Sequence, residues 1–311
     1  MINKKLTAII TVVEKDKKYL SDCIRTLFTS CKYAKIKLQL IIIENGTIIN
    51  KKILNSFNYQ ILHLKSNLGF GKAINEGYNY VKTNWSIILA PDTKCNKNTI
   101  QSLINSSVNG QIAIIGPKIY YSDGSLDFSI LPEPNLLNIF LEQSYLYKLL
   151  PNIFKHPFAY HKLYDKTQKV DGVASTFWLI NSEIFRKLKG FDNRYFLFFD
   201  DSDFCRRIIE KKYQIIFQPK SSIIHYGHQS NSGIINCYHL LDGLFKYLSK
   251  YHSSFYTTFC FFIVYIGSLI RFIYWKLKSF KFNNYSVKAN QYKEMVHGII
   301  SIFNQTSVRR F

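Results

Sequence analysis

Short runs of apolar, largely β-branched residues recur along the first hundred residues of the chain. They read LTAIITVV at 6–13, LQLIIIENG at 38–46, YQILHL at 59–64 and WSIILAPDT at 85–93. Continuous apolar runs of this length are typical of strands that are buried on both faces. Segments with helical spacing follow at 16–31, 69–81 and 96–108. The alternation predicts an α/β fold with a doubly wound, mostly parallel sheet and helices on both faces.

Similar patterns return beyond residue 169. The sequence predicts a strand at 170–180 (VDGVASTFWLI) and helices at 181–190 and 201–212. It also predicts two short strands within 213–227, YQIIFQP and SSIIHYG. With the first half they predict one domain over residues 1–232. The interrupting segment 132–168 is rich in aromatic and basic residues and has four prolines. It predicts an inserted lobe on the acceptor or membrane side of the domain.

The remaining segment, residues 233–311, predicts a basic, aromatic helical tail that associates with a membrane. Its residues 253–270 have no charged side chain. The length of this uncharged run is near the lower limit for a membrane span. A buried core helix has the same signature. Tyr274, Trp275 and the lysines that follow favour shallow insertion at an anionic membrane surface. The sequence leaves open whether this helix spans the bilayer or lies on it.

The chain is strongly basic, with 41 Lys and Arg against 20 Asp and Glu and a formal net charge of +21 at pH 7. This balance favours an anionic partner, such as nucleic acid, anionic lipid head groups or a phosphorylated small molecule. Six cysteines, none in a C-x-x-C pair, indicate a reducing compartment. The first apolar run is too short for a signal peptide, so we expect a cytoplasmic location.

Polar residues directly follow three of the predicted strands, namely Glu44, Asn67 and Asp92. In doubly wound sheets, ligands bind outside the carboxyl ends of the strands. Asp92, in the stretch PDT, is either a helix cap or a ligand of Mg²⁺ or Mn²⁺, which take few carboxylates. His225, at the end of SSIIHYG, is either structural or a second ligand. These residues predict a site at one rim of the sheet.

Glycines precede the predicted helix at 69–81, in the stretch SNLGFGKAINEG at 66–77. Gly69 and Gly71 let the backbone approach a phosphate closely, and a helix N-terminus favours anions. Because the spacing is not G-x-G-x-x-G, this stretch alone is a weak indication of a phosphate site.

Three aspartates stand close together in FLFFDDSDFCRR, residues 196–207. Helix capping explains one or two of them. Two carboxylates about 4 Å apart repel by roughly 4 kcal/mol at an effective dielectric near 20, so a third needs solvent, a cation or a shared proton. In a helix that begins near Asp200, that residue and Asp203 share a face, and Asp201 points elsewhere. A separate carboxylate at a rim suits a general base, which indicates Asp201.

In this order, three stretches resemble motifs of the family 2 inverting glycosyltransferases, closest to the bacterial rhamnosyltransferase-like branch that builds O-antigen and other surface polysaccharides. SNLGFGKAINEGY is similar to N-x-G-F-G-x-A-x-N-x-G, and LAPDT to L-N-P-D-T. The third, from GFDNRYF to HYGHQS, is similar to G-F-D-E-x-F-F-x-Y-x-E-D-x-D-L-x-x-R…H-x-x-G-x-S. The resemblance covers roughly residues 6–232. It implies the A-type glycosyltransferase fold (GT-A) and a cofactor, a divalent metal such as Mg or Mn.

The resemblance also implies partners and residue roles. The donor is a nucleoside-diphosphate sugar, dTDP-rhamnose-like or a UDP-sugar, and the acceptor is a saccharide or lipid-linked saccharide at the inner face of the bacterial cytoplasmic membrane. Asp201 is the presumed base, and Asp200 replaces the Glu of the family's E-D pair. Asp92 and His225 bind the metal or the diphosphate. The residues implied to bind the nucleotide sugar are Thr11, Glu44, Asn67, Gly69, Gly71 and Asn75.

The sequence departs from the family pattern at several positions. Ala90 stands at the first position of the D-x-D metal motif, so fewer protein ligands are expected to hold the metal. TVVEKD replaces T-Y-N-x near the start, and Ser175-Thr176 replaces a Gly-Ala pair. Glu44 stands where the family usually has Asp. These changes affect the donor and acceptor sites more than the fold.

Two alternatives belong to other functional classes. A sugar-nucleotide pyrophosphorylase shares the sheet and the metal, but it needs a glycine-rich basic loop after the first strand, where this chain reads TVVEKDKK. A nucleic-acid-binding protein explains the net charge but neither the rim carboxylates nor the uncharged run. Retention on heparin that collapses at moderate salt would favour it. We therefore expect no nucleic-acid partner.

Overall fold

The computed structural model describes residues 4–54, 57–106, 111–146, 150, 164–227, 233–281 and 285–308. Within these residues the strands are β1 (Lys5–Val12), β2 (Lys37–Asn45), β3 (Tyr59–Leu64), β4 (Trp85–Leu89), β5 (Thr93–Cys95), β6 (Ile112–Tyr121), β7 (Gln168–Lys169), β8 (Phe177–Asn181) and β9 (Gln214–His225). The α-helices are α1 (Lys17–Tyr33), α2 (Phe70–Tyr78), α3 (Thr99–Ile104), α4 (Leu136–Ser144), α5 (Ser182–Lys187), α6 (Asp200–Glu210), α7 (Gly233–Tyr251), α8 (Ser254–Lys281) and α9 (Ser286–Val308).

The chain divides into two compact units. The first consists of Met1–Glu133, Tyr160–Phe196 and Asp200–Ser230, and the second of Pro134–Ala159, Leu197–Phe199 and Asn231–Phe311. Part of the predicted inserted lobe, including α4, therefore groups with the C-terminal helices. Residues 147–149 and 151–163 of that lobe lie outside the described residues.

One sheet forms the centre of the first unit, in the order β3-β2-β1-β4-β8-β6-β9-β5, with β7 paired to β9. β1 is parallel to both β2 and β4, and β2 is parallel to β3. β8 is antiparallel to both β4 and β6, β5 is antiparallel to β9, and β6 is parallel to β9. The predicted α/β class is confirmed, with a sheet that is parallel in one half and mixed in the other.

The apolar runs are continuous because both faces of the sheet are covered by helices. Ile10 of β1 packs in the same core as Leu20 of α1, whereas Ile9 packs on the opposite face with Ile74 of α2 and Phe204 of α6. All five side chains are fully buried. Neighbouring residues in a strand point to opposite faces, so one buried strand supplies both cores.

β9 is one continuous strand, where the sequence predicts two short ones separated at Pro219. β6 pairs Pro117 with Gln218 and the next residue, Lys118, with Ser222. The β9 residues between these two partners, including Pro219, therefore lie in a bulge. A bulge accommodates proline because the extra residues make no ladder hydrogen bonds. The predicted break is therefore wrong, and His225 is carried to the rim by the far end of a long strand.

The region around Asp92 also differs from the prediction. The predicted strand at 85–93 ends at Leu89, before Pro91, and Thr93–Cys95 forms a separate strand antiparallel to β9. Asp92 therefore lies in the turn between two strands. The predicted helix at 96–108 is shortened to Thr99–Ile104, and β6 has no counterpart among the predicted elements.

The second unit is helical. Within it, α8 packs against α4, α7 and α9. Among the described residues, one helical stretch, Ser254–Phe280, is long and apolar enough to cross a membrane by length and composition, and 39% of its most apolar window is buried inside the protein.

Candidate active site

The carboxyl ends of the central strands bring the predicted donor residues to one edge of the first unit. The register pairs Val12 with Glu44 and Ile10 with Leu89, so β1, β2 and β4 end at the same level. Thr11 lies at this edge, and its hydroxyl is buried without a hydrogen-bond partner within the described part of the chain. A buried hydroxyl without a partner is costly, so a ligand atom at this point would relieve it.

Asn45 organises the glycine-rich loop before α2. Its side-chain nitrogen donates to Asn67 Oδ1 at 2.9 Å and to the Gly69 carbonyl at 3.1 Å, and its Oδ1 accepts from Leu68 N–H at 2.8 Å. Asn45 is not among the predicted site residues, although it stands in the turn signal that ends the second apolar run. Gly69 has φ +85°, and a Cβ there would lie 2.2 Å from the Phe196 carbonyl oxygen. Only glycine fits this position.

Glu44 is buried, and both of its carboxylate oxygens have partners. Oε1 accepts from Ile49 N–H at 2.8 Å, and Oε2 lies 3.2 Å from Nδ1 of His63. His63 is largely exposed at the end of β3. The Glu44 carboxylate, which the family resemblance implies to bind the nucleotide sugar, therefore holds a turn and an exposed imidazole at the rim.

Asn75 and Gly71 belong to the interface between α2 and the segment before α6. The Asn75 side chain donates to the Phe191 carbonyl at 2.8 Å and accepts from Phe191 N–H at 2.9 Å. A Cβ on Gly71 would lie 2.8 Å from Phe191 Cβ and 3.0 Å from Asp200 Oδ2. Both residues hold the glycine-rich loop before α2 close to the acidic cluster.

The three aspartates of the acidic cluster have different surroundings at the start of α6. Asp200 and Asp203 are buried, whereas Asp201 is partly exposed. Asp201 Oδ1 accepts from Ser202 N–H at 2.8 Å, and Oδ2 lies 3.3 Å from Ser175 N and 3.4 Å from Ser175 Oγ. Asp201 thus faces the segment before β8.

The surroundings of Asp200 and Asp201 affect the pKa values of their carboxyl groups differently. Burial and then the neighbouring Asp201 carboxylate raise the pKa of Asp200 to about 8. Burial also raises the pKa of Asp201, but hydrogen bonds from Ser175 and Ser202 favour its charged form. Asp200 Oδ2 has no hydrogen-bond partner within the described part of the chain. With a pKa of about 8, Asp200 is mainly protonated at neutral pH, whereas the hydrogen bonds to Asp201 favour the charged form of that carboxylate.

Asp203 serves the stability of the fold. It is fully buried, and it accepts from Arg207 Nε at 2.8 Å, while the same guanidinium donates to the Leu188 and Gly190 carbonyls, each at 2.7 Å. The arrangement fixes α6 to the loop after α5.

Asp203→Asn is expected to lower the free energy of unfolding by about 3 kcal/mol, because it leaves the partly buried Arg207 charge without a carboxylate. Urea denaturation measures this change. Asp192→Asn is the matched control, since Asp192 pairs with an Arg194 side chain that is 60% exposed, and it is expected to cost less than about 1 kcal/mol. Equal losses in the two variants would contradict the structural role of Asp203.

His225 lies between two carboxylates. Its Nε2 is 3.4 Å from Asp92 Oδ2, and its Nδ1 is 2.8 Å from Asp127 Oδ2. Burial lowers the pKa of His225, but the hydrogen bonds and charges of Asp127 and Asp92 outweigh it and raise that pKa to about 9. Asp127 follows the turn after β6. The sequence does not predict its role, because only the fold brings it to His225.

Asp92 and His225 fit a divalent cation that takes few protein ligands. Burial and then the charge of Asp92 raise the pKa of Asp16 to about 6, so Asp16 lies close to the same carboxylate. Within the described ranges no group of three or more His, Cys, Asp or Glu side chains is placed to hold a metal. This donor set suits Mg²⁺ or Mn²⁺, because phosphates and waters complete the coordination shell of these ions. It does not suit a closed zinc site.

The fold and the polar rim define an α/β protein with a candidate site at the carboxyl ends of its strands, and comparison with known proteins identifies the family. Residues 7–189, more than half of the chain, match the model of Glycosyl transferase family 2. The chain belongs to this family.

Curated relatives of the chain are rhamnosyltransferases. N-acetylglucosaminyl-diphospho-decaprenol L-rhamnosyltransferase of Mycobacterium tuberculosis is 24% identical over 183 residues, which are 54% of this chain and 59% of the relative. Rhamnosyltransferase WbbL of Escherichia coli (strain K12) is 31% identical over 84 residues, which are 26% of this chain and 31% of the relative. The chain thus spans well under two thirds of the length of these relatives.

Solved structures share the fold. The mannosyltransferase PcManGT from Pyrobaculum calidifontis, solved with GDP-Man and Mn²⁺, superposes with a TM-score of 0.57 at 9% identity, over 96% of this chain and 86% of that one. GalNAc-T7, solved with UDP, GalNAc and Mn²⁺, gives a TM-score of 0.54 at 13% identity, over 79% of this chain and 47% of that one. These matches confirm the expected GT-A fold, and the roles of individual residues stay predictions.

Proposed function

We propose that the protein is an inverting, metal-dependent glycosyltransferase that moves a sugar from a nucleoside-diphosphate sugar to a hydroxyl group of a saccharide or lipid-linked saccharide. The observation that carries the proposal is the position of the Asp201 carboxylate, which is held at the start of α6 by hydrogen bonds from Ser175 and Ser202. The names of the relatives support rhamnose as the sugar and a lipid diphosphate as part of the acceptor. Assembly of a bacterial surface polysaccharide is the process that such a transfer serves.

Asp201 performs the proton transfer in this proposal. Its carboxylate accepts the proton of the acceptor hydroxyl, and that oxygen attacks the anomeric carbon from the face opposite the leaving diphosphate, in one displacement with inversion. The glycosidic carbon passes through an oxocarbenium-like state. Ser175 and Ser202 hold the carboxylate in place, and the protonated Asp200 adds no second negative charge beside it.

The opposite side of the site receives the leaving diphosphate. Because Phe70 N–H donates to the Phe196 carbonyl, the N-terminus of α2 contributes the partial positive charge of the helix dipole rather than this N–H group. Asp92 and His225 would hold a divalent cation, which neutralises charge on the leaving group when bound. Asp127 fixes the imidazole so that Nε2 points to Asp92, the arrangement in which a carboxylate orients a metal-binding histidine.

The two alternatives are not favoured. Family membership argues against a sugar-nucleotide pyrophosphorylase. A nucleic-acid-binding role leaves the rim carboxylates unexplained, and we expect no nucleic-acid partner. The cytoplasmic location at the inner face of the membrane rests on the cysteine content and on the lipid-linked substrate in the relative's name.

A donor screen by thermal denaturation tests the proposed function. In the presence of Mg²⁺ or Mn²⁺, one of dTDP-rhamnose, UDP-sugars and GDP-sugars is expected to stabilise the protein by about 2.7 kcal/mol at 100 times its Kd. The same titration in excess EDTA and a titration with an oligonucleotide are the controls. Stabilisation by the oligonucleotide alone, with no response to any sugar nucleotide, would contradict the proposal.

A further inference from the structure

A continuous apolar stripe runs along the outer face of α8. Its members are Phe255, Phe259, Phe262, Ile266, Ile270, Ile273, Leu277 and Phe280, each between 39% and 84% exposed. They recur at intervals of three and four residues, so they lie on one face of the helix within an arc of about 80° at 100° per residue. At 1.5 Å per residue the stripe is about 38 Å long.

The opposite face of α8 is buried in the second unit. Cys260, Val264 and Ser268 lie there, and Arg271 is buried with them. The Arg271 guanidinium donates to Gln143 Oε1 at 2.9 Å and to the carbonyls at the end of α4. One side of α8 is therefore packed within the second unit, and the stripe on its other side is available to a partner.

The exposed apolar surface is concentrated in this unit. Of the 23 exposed large apolar side chains among the described residues, 17 lie in the second unit and six in the first, although the second unit is the smaller one. Single exposed apolar residues are ordinary, but a contiguous stripe of this length marks an interaction surface.

Charge indicates the chemistry of the partner. α8 has no Asp or Glu, and its C-terminal part exposes Lys276 and Lys278 beside the stripe. Over residues 233–311 ten Lys and Arg stand against Asp242 and Glu294. An apolar face bordered by lysines and by Tyr274 and Trp275 suits the boundary between acyl chains and anionic head groups.

The packing of α9 argues against a transmembrane orientation of α8. α9 packs along α8 within the unit, and it exposes Lys293, Glu294 and His297. If α8 crossed a bilayer, these charged and polar side chains would enter the hydrocarbon or its boundary, which is strongly unfavourable. With α8 parallel to the surface, the stripe can enter the lipid without drawing Lys293, Glu294 and His297 across the hydrocarbon.

We propose that α8 is an in-plane membrane anchor, with the stripe immersed at the boundary between acyl chains and head groups of an anionic bilayer. The partner is the lipid surface itself. The proposal does not depend on which sugar the first unit transfers.

Flotation of the full-length protein with lipid vesicles tests the anchor. Vesicles of phosphatidylcholine with 30% phosphatidylglycerol are expected to carry the protein, and pure phosphatidylcholine vesicles are expected to carry much less. Replacing Phe255, Phe262, Ile270 and Leu277 together by Ser should weaken binding at least about 100-fold, because each loses an apolar side chain from the lipid. The matched control replaces Tyr33, Tyr59, Tyr80 and Ile209 of the first unit by Ser and should bind like the wild type. Circular dichroism verifies the folding of both variants, and equal binding by the two would overturn the proposal.

Depth measurements separate the in-plane from the transmembrane orientation. Phe255→Trp, Phe262→Trp, Ile270→Trp and Leu277→Trp are made singly, and the added fluorescence over the parent protein is quenched by lipids brominated at different acyl positions. The in-plane anchor predicts the same shallow depth at all four positions. Greatest depth at 262 and 270, with shallow ends, would show a transmembrane helix and overturn it.

Sedimentation without lipid tests a second copy of the chain as the occupant of the stripe. The proposal predicts the same oligomeric state for the wild type and the fourfold serine variant. A wild-type dimer that the serine substitutions dissociate would overturn the assignment to lipid.

Discussion

Asp201→Asn is expected to lower sugar transfer by at least about 10²–10⁴-fold, the usual contribution of a positioned general base. Asparagine keeps the size of the side chain and can still accept from Ser175 and Ser202, but it cannot take a proton. Donor affinity is expected to change little, because the carboxylate faces the acceptor side. Steady-state kinetics with a defined acceptor, together with donor titration, measure both quantities.

The neighbouring carboxyl group provides the control. Asp200 holds a proton at neutral pH, so Asp200→Asn replaces one neutral group by another and is expected to reduce transfer much less. Because burial raises the pKa of Asp201, the wild-type rate should increase with pH through that pKa, and the increase should vanish in Asp201→Asn. Near wild-type turnover in Asp201→Asn, combined with a large loss in Asp200→Asn, would move the base to Asp200.

Asp92→Ala is expected to reduce kcat/KM at least about 100-fold and to remove the dependence on Mg²⁺ or Mn²⁺. Loss of a group that merely orients a metal ligand already costs about 10–100-fold in metal affinity or activity, so loss of a ligand itself should cost more. Titration of Mn²⁺ in the presence of donor, followed by electron paramagnetic resonance, measures the affinity directly.

Asp127→Asn tests the same site with a smaller change. It leaves Asp92 and His225 in place and removes only the charge behind the imidazole, so a loss of about 10–100-fold in Mn²⁺ affinity is expected. Full activity of Asp92→Ala, or of the wild-type protein in excess EDTA, would refute a metal-dependent mechanism.

The parallel half of the fold follows from local patterns. Runs such as LTAIITVV are buried on both faces, and the turn signals after them place Glu44, Asn67 and Asp92 near one rim. The separation of Asp201 from Asp200 and Asp203 also follows, because the period of a helix fixes it. These features depend on residues that are close together in the sequence.

Other features depend on pairings between distant residues. The antiparallel insertion of β8 between β4 and β6 has no local signal, since a buried strand has the same composition in either direction. Asp127 reaches His225 only because the chain turns back after β6. Asn75 and Glu44 match family positions, yet their hydrogen bonds to Phe191 and Ile49 become visible only once the loops are placed.

The close approach of Gly69 to Phe196 links two segments that are far apart in the sequence. The Phe196 carbonyl accepts from Phe70 N–H at 3.0 Å and lies directly over the glycine, four residues before the acidic cluster begins. For protein engineering, the glycine-rich loop before α2 and the segment leading to Asp201 form one exchangeable module. A chimera that imports a new loop for a different sugar nucleotide has to retain this glycine and to import the matching residues around 196 with it.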